Sequence, residues 1–596
     1  MHGFVVEINK SRPLYSLDCE RYEDYFAENF NRAKIQRLKK ENLKVFCNST
    51  EICIRESEDH ILLKFGRVYL DRLIPEGSKL DIDMLISFFR NESLDELIKF
   101  IDGDFFIYIY DKRNDSHHFI TDKGGFVPVY IFQKLDLFVI SSHPDAIAVS
   151  VGIDTVGPLD IISIAEFLNT SRIEFPNTYY QNIQQLLPGN LFEIRTTKLK
   201  ATTYWAPEAD FSYNKQELTD KLAATIQKVV IEATNPEFGT HGIFLSGGAD
   251  SRAILFSRHK DASLSAATFF DQPNDEFFTA QKLAQRAKVP HKGLKRSFEH
   301  YGNSAIEYVK TTQGMMALTD NHYFSFLDEI RTLNIDNWHT GCFADWFFKG
   351  IAFNTSYKQL LGKPLPTWQI FSPFTYTFHT YECPINPEFD HQVKTRLKIR
   401  YKDVIANPNL DDKSLWEIEK LRLWPINREF TFGSRMTLSS SLNWHPIISR
   451  GSMLDIWRKI PPSYKLNGLI WKKAVAKICN GNNDIKDNNW GSYIGFSPQI
   501  NSLFFVLKII QRKFRKNKSL PTGSWPDFRY YVSKSEVLKE LWAQNQGYSA
   551  PILTQILGYN PFVLSSFEWS KKDVVLFTRL ISVHLWLNLI NHNFSK

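Results

Sequence analysis

Cysteine is scarce and scattered in this chain. The six residues Cys19, Cys47, Cys53, Cys342, Cys383 and Cys479 show no CxxC spacing among 596 positions. Neither a thiolate zinc site nor a disulfide framework is therefore expected, and a reducing cytoplasm fits best. A run of about 18 uncharged apolar residues, long enough to cross a bilayer, is also missing. The most apolar stretch, "KKDVVLFTRLISVHLWLNLI", is broken by Arg579 and His584 and reads as a buried amphipathic helix, and "MHGFVVEINKSRP" has no apolar core or cleavage site of a leader. An excess of one charge is absent too. With 72 basic and 65 acidic side chains the net charge is +7, too small over this length for a dedicated nucleic-acid binder. The one basic run, "KIIQRKFRKNK" (Lys508–Lys518), is expected to be a solvated helix or loop.

What is present is the composition of a folded protein, 43% hydrophobic and 23% charged, at a length that calls for two to four domains. The first two hundred residues alternate short β-branched and aromatic runs ("FVVEI", "HILLKFG", "DFFIYIYDK", "LFVISS") with turns, the pattern of a layered, largely antiparallel β domain. From about Phe211 helical spacing takes over, beginning with "NKQELTDKLAATIQKVVIEAT".

The stretch "GIFLSGGADSRAIL" (242–255) follows directly. A short apolar run, two glycines and a resumed apolar pattern read as strand, tight turn and helix. Two glycines let backbone N–H groups approach a ligand, and the helix N-terminus offers its free amides and positive dipole end to an anion. Ser246 and Ser251 add hydroxyls. Asp250 would repel a phosphate unless Mg²⁺ sat between them, so the string predicts a nucleotide phosphate site with its own metal ligand. It is not a Walker A loop, which ends in Gly-Lys-Ser/Thr. The next strand, "SLSAATFF", ends near Asp271 and is followed by a helix capped by Asn274 or Asp275, with Leu283 and Ala284 inward. This is the start of a doubly wound parallel sheet, whose ligands bind at the carboxyl ends of the strands.

The Ser-Gly-Gly-x-Asp-Ser string resembles the pyrophosphate loop of the N-type ATP pyrophosphatases, as in asparagine synthetases, which split ATP to AMP and pyrophosphate. "GCFADWFFKG" (341–350) is similar to that family's second loop, and the resemblance makes Asp250 and Asp345 the carboxylates that hold Mg²⁺. It assigns nucleotide contacts to Leu245, Ser246, Gly247, Gly248, Asp250, Ser251, Thr268 and Gly341. After Tyr464-Lys465-Leu466-x-Gly468, spacing from Gly468 points to Lys472 as the cation for the acyl-adenylate and spacing from Lys477 points to Lys473, so both stand. Glu429 is either the glutamate that assists amine deprotonation or a surface helix cap.

Upstream, Gly103-Asp104-Phe105, Asp122 and Leu187-Pro188-Gly189 occur in the order of the class II glutamine amidotransferase domain of the same family. The implied fold is α/β: a layered β-rich Ntn-amidotransferase-like domain over 1–200, a doubly wound parallel-sheet ATP-pyrophosphatase (HUP-like) domain over 210–480, and a helical extension over 481–596. Three departures matter. The chain begins Met1-His2-Gly3 where the family exposes a cysteine nucleophile, so glutaminase activity is expected to be absent. Cys342 replaces the glutamate or tyrosine of the second loop, and Phe343 replaces its second glycine. His445-Pro446 stands nearer the β-lactam and carbapenam synthetases, a branch that the lasso-peptide cyclases also resemble. The resemblance implies ATP and Mg²⁺ as cofactors, a small-molecule or peptide carboxylate as substrate, ammonia or an amine as nucleophile, no nucleic acid or membrane partner, and an assembly compatible with a homodimer. The rival expectation is a degenerate synthetase retained as a binding subunit.

Overall fold

All residues of the first strand but the last are buried, and this decides the architecture of the N-terminal part. A strand buried on both faces must lie between two layers. The computed structural model describes residues 3–10, 34–49, 53–70, 81–91, 94–352, 358–360, 363–365, 383–402, 411–429, 431–487, 492–496, 500, 503–504, 507 and 525–595. The basic run at 508–518, His2 and Cys19 lie outside these residues. Strands β1 (Gly3–Asn9), β2 (Lys34–Lys39), β3 (Leu43–Ser49), β4 (Ile54–Glu56), β5 (His60–Leu70), β6 (Ile101–Asp111), β7 (Ser116–Thr121), β8 (Tyr130–Lys134), β9 (Leu137–Ser141), β10 (Ile183–Gln185), β11 (Asn190–Ile194) and β12 (Leu199–Thr203) form two six-stranded sheets. Their orders are β10-β8-β9-β1-β3-β2 and β12-β11-β7-β6-β5-β4, and neighbouring strands such as β1 and β3 or β5 and β6 run antiparallel.

Alternation along β1 shows how the sheets stack. Phe4, Val6 and Ile8 belong to the core between the sheets, where Phe4 stacks on Phe106 of β6 at 4.2 Å. Val5 faces a second core that includes Ala146, Ile147 and helix α1 (Ile161–Thr170). The far face of the other sheet carries Leu62, Phe105, Ile107 and Ile120 against the helices Ile82–Asn91 and Leu94–Phe100. The result is four layers: helices, sheet, sheet, helices. Gly103 in "DGDFF" has a local reason. Its φ is +117°, and a Cβ there would lie 2.2 Å from the carbonyl oxygen of Arg67.

One expectation is corrected here. Cys47, on β3, and Cys53, just before β4, form a disulfide with their Cα atoms 6.8 Å apart. β3 and β4 belong to different sheets, and their stacking brings the thiols together at a spacing that matches no sequence framework. Because disulfides persist in oxidising compartments, the cysteine pattern no longer carries the expected compartment.

The second part is built on a parallel sheet of β13 (His241–Phe244), β14 (Leu264–Phe270), β15 (His291–Lys295), β16 (Asn337–Thr340) and, after the hairpin β17 (Lys358–Leu360) and β18 (Lys363–Leu365), β19 (Trp444–Pro446). Its order is β15-β14-β13-β16-β19 with all pairings parallel. The chain moves outward from β13 in one direction, then crosses to β16. The switch point therefore lies between β13 and β16, where doubly wound sheets bind ligands. The helices that matter below are α2 (Lys215–Ala233), α3 (Ala249–Ser257), α4 (Asp275–Arg286), α5 (Ala305–Thr312), α6 (Ala344–Lys349), α7 (Phe432–Ser441), α8 (Leu469–Ile478), α9 (Phe528–Lys534) and α10 (Val574–Ser595). α4 is capped by Asn274, whose side chain accepts the Phe277 N–H, which decides between Asn274 and Asp275.

The two parts share buried ionic contacts. Arg435 pairs with Asp104 and Arg450 with Asp102, each at 3.0 Å. Asp122 accepts the N–H groups of Gly124, Gly125, Phe126 and Val127, and the loop so formed presents carbonyls to Trp424 Nε1 and to the N–H of Ile426.

The described C-terminal helices pack against the rest of the chain. α10 packs into the largest core together with residues of α1 and α5. By length and composition α10 could cross a membrane, yet 72% of the relevant window is buried inside the protein. Arg579 and His584, which interrupt the apolar run, are buried as well. Arg579 donates to the carbonyls of Leu168 and Asn169, and His584 bonds Ser549 Oγ.

Candidate active site

The apolar run at 243–245 is buried at the centre of the parallel sheet, and the turn after it starts α3 at the carboxyl end of β13. The turn is folded on itself. Ser246 N–H donates to Ser251 Oγ at 3.0 Å, Ser251 Oγ donates to Ser246 O at 3.1 Å, and Gly248 N–H donates to Ser246 Oγ at 3.2 Å. Gly248 is the N-cap of α3 and supplies no side-chain acceptor to the helix amides. Leu245, Ser246, Gly247, Gly248, Asp250 and Ser251 thus come together on one loop at the switch point.

The second loop follows β16, the neighbour of β13. Gly341 packs directly on the first loop: a Cβ at Gly341 would lie 2.5 Å from Asp250 Cβ and 2.9 Å from its carbonyl carbon. Glycine is required by this close approach. Phe343, the N-cap of α6, has φ +71°, a left-handed conformation that glycine adopts freely and phenylalanine does not. Its buried ring packs edge-on against Phe126 of the N-terminal part and near Phe432, each at 6.1 Å, which offsets the strain.

Asp250 and Asp345 converge, and a residue without any motif joins them. Lys349 Nζ lies 2.7 Å from Asp250 Oδ2 and 2.6 Å from Asp345 Oδ1. Burial pushes Asp250 up to about 6, with the Lys349 ammonium opposing the rise. Burial also acts to lower Lys349, but the two carboxylates outweigh it and hold the ammonium above its ordinary range. The fit to Mg²⁺ rests on Asp250 Oδ1, which is buried without a hydrogen-bond partner. Among the described residues no three His, Cys, Asp or Glu side chains form a metal cage. A cation here would bring further ligands with it, as Mg²⁺ does with phosphate oxygens and waters.

Lys472 and Lys473 part company on α8. Lys472 is buried; burial pushes it down to about 8, partly countered by Asp487, Asp250 and Asp345. Lys473 is exposed, facing Lys215 of α2, an ammonium that burial and then the Lys473 charge hold below its ordinary range. Asp487 comes from beyond α8, at the end of a segment held by Arg252, the residue after Ser251. Arg252 is fully buried and donates to the carbonyls of Gly247 (3.0 Å), Ile485 (2.7 Å) and Lys486 (2.5 Å). It clamps this segment onto the turn at 246–251.

Three expected residues meet different surroundings. Thr268 sits near the end of β14, but its hydroxyl is engaged by Leu245 O at 2.6 Å and His291 Nε2 at 2.8 Å. Glu429 is not a surface cap, being 1% exposed. Arg172 lies 3.0 Å and Arg422 3.8 Å from its carboxylate. These are the surroundings of a buried counter-ion, which overturns the surface-cap alternative. Cys342 is pushed up to about 11 by burial, so the thiol stays protonated at neutral pH and cannot act as a base. A rise from 9.0 to about 11 cuts the thiolate fraction roughly 100-fold. Alkylation of Cys342 by iodoacetamide at pH 7.5, followed by peptide mass spectrometry, is expected to be slower than a free thiol by at least about that factor. Alkylation at the free-thiol rate would show an activated cysteine instead.

Lys349, Asp487 and Arg252 were missed from the sequence. The Asp345-to-Lys349 spacing of four on a helix was the one available signal, and such pairs are common on helix surfaces.

Residues 76–205 match the glutamine amidotransferase domain family. No curated protein matches the chain. Among solved structures it is similar to an allosteric regulatory enzyme of purine biosynthesis at 11% identity, covering 49% of this chain and 58% of that one, with a TM-score of 0.21. A second is the glutamine phosphoribosylpyrophosphate amidotransferase of B. subtilis complexed with ADP and GMP, at 9% identity over 49% of this chain and 85% of that one, TM-score 0.21. A third is an NH3-dependent NAD synthetase from Campylobacter jejuni, at 12% identity over 39% and 94%, TM-score 0.17.

Proposed function

We propose that this chain, one segment of which is a glutamine amidotransferase-like domain, is an ATP-dependent, AMP-forming amide ligase. The observation that carries the reading is the meeting of Asp250 and Asp345 across the switch point of a parallel sheet, beside a Ser-Gly-Gly-x-Asp-Ser turn that opens a helix. Amides of the turn and the N-terminus of α3 bind the phosphates. Asp250 and Asp345 would hold Mg²⁺, which supplies charge neutralisation of the departing pyrophosphate. Lys472, buried on α8, stabilises the negative charge that develops as the substrate carboxylate is adenylated and then attacked by an amine. The products are an amide and AMP. Holding acid and amine in one site makes the second step effectively unimolecular.

The domain reading of 1–200, 210–480 and 481–596 belongs to the same proposal. The N-terminal layers serve as a scaffold and not as a glutaminase, because a histidine at position 2 has no thiol to form a glutamyl thioester. The amine is free ammonia or a group on the substrate, so the product is an asparagine, another amidated acid such as a sugar acid, or a cyclised compound.

The test is pyrophosphate release from ATP and Mg²⁺ across a panel of carboxylates that includes aspartate, scored with ammonium or glutamine. Release that depends on the acid and ignores glutamine is expected. A second reading, a non-catalytic binding subunit, is favoured by Lys349 seated between the two carboxylates and by the protonated Cys342 thiol. Failure of the purified protein to bind ATP with Mg²⁺ would decide for it.

A further inference from the structure

Lys349 sits where the phosphate-binding reading puts a metal ion, and its seat is built. α6 places it one turn after Asp345, so both side chains lie on one face of the helix. Gly350 ends that helix in a left-handed conformation at φ +69°. Gly468, in the turn that leads into α8, is where the lysine stem rests: a Cβ at 468 would lie 3.2 Å from Lys349 Cγ, 3.4 Å from Cδ and 3.5 Å from Cβ. The stem therefore runs along a backbone turn with no side chain to displace it, and its ammonium reaches both carboxylates within 2.7 Å. Only 11% of the Lys349 side chain is exposed.

We propose that Lys349 is a resident cation of the phosphate site: its ammonium holds the place between Asp250 and Asp345 in the nucleotide-free protein, and a divalent ion enters only together with the nucleotide. This inference rests on the reading of 246–251 as a nucleotide phosphate loop. The physical case is one of competition. Two carboxylates converging on one point repel each other, and a cation between them relieves the repulsion. A tethered ammonium is already ordered there, whereas a divalent ion must shed water and displace it. Asp250 Oδ1, buried and without a partner, stays available on the other side of the carboxylate. An incoming nucleotide changes the balance, since its phosphate oxygens offer ligands to the metal and a new partner to the ammonium. No bond is made or broken by Lys349 in this role.

The experiment titrates Mn²⁺ into the full-length, nucleotide-free protein and reads free Mn²⁺ by electron paramagnetic resonance. The wild type is compared with Lys349→Met, Lys349→Arg and the double variant Lys349→Met/Asp250→Asn, all checked by thermal melting. Lys349→Met is expected to bind one Mn²⁺ at least about tenfold more tightly than the wild type. The double variant is expected to lose that gain, and Lys349→Arg to exclude Mn²⁺ as the wild type does. Tight Mn²⁺ binding by the nucleotide-free wild type would overturn the inference without reference to any variant. So would a folded Lys349→Met protein with unchanged Mn²⁺ affinity. A separate ATP titration in the presence of Mn²⁺ tests the nucleotide reading itself, so the two failures are told apart.

Discussion

Asp250→Ala is expected to lower acid-dependent pyrophosphate release by about 10³-fold or more while the melting temperature moves by only a few degrees. The two halves of that expectation have separate grounds. Asp250 is the first carboxylate after the turn at 246–248, it faces the second loop, and one of its oxygens is buried without a partner. No neighbour can replace it, because Asp345 is 53% exposed and already engaged by Lys349. The fold, by contrast, gains little from the ionised group. Burial pushes its carboxyl up to about 6, so keeping it charged at neutral pH is a cost to the folded chain. Removing it also leaves Lys349 with a partner in Asp345. A variant that keeps its rate would sink the ligase reading, and one that unfolds would show Asp250 to be structural.

The largest effect on stability is expected at Lys465 and Glu419. Their side chains are fully buried and meet at 2.8 Å. Trp457 Nε1 donates to the same carboxylate oxygen at 2.8 Å, and the Lys465 ammonium lies over the rings of Trp416 and Trp457 at 4.7 and 5.4 Å. Neither charge has water to fall back on. Lys465→Met leaves a buried carboxylate uncompensated and is expected to cost about 3–5 kcal/mol, read from the denaturant midpoint. The paired replacement Lys465→Met/Glu419→Leu should recover much of the loss, since an apolar pair of similar volume carries no desolvation penalty. A single-variant loss below about 1 kcal/mol would mean that solvent reaches the pair. The cost extends to the site, because Lys465 precedes the turn at 466–468 that supports the Lys349 stem and starts α8.

How far these features could be read from the sequence depends on how local their causes are. The strand, turn and helix at 241–257 were legible because glycine, serine and aspartate in that order allow few other backbones. The layered antiparallel sheets were legible from alternation, although β1 breaks the alternation by being buried on both faces. Asp345 was found by its interval from the first loop. Lys349 was not, because its meaning comes from Gly468, 119 positions on in the chain and in contact only after folding. The choice between Lys472 and Lys473 could not be made from spacing, since adjacent residues on a helix point about 100° apart and only the packed neighbours say which one turns inward. The burial of Glu429 was illegible for the same reason: its arginines are Arg172 and Arg422, neither adjacent to it in sequence. The Cys47–Cys53 bond needed two separate sheets to stack before the spacing meant anything.

The burial of α10 also sets the order of events during synthesis. Trp586 donates to Asp145 across 441 residues of chain. At about 5–20 residues per second, roughly 20–90 s pass between the emergence of the acceptor and the arrival of its donor. Through that interval the apolar surface that α10 covers, on α1 and around Tyr179, is presented to the cell by a nascent chain. The first part of the protein can form its two sheets at once, but it must wait for the last helix to close the surface beside them.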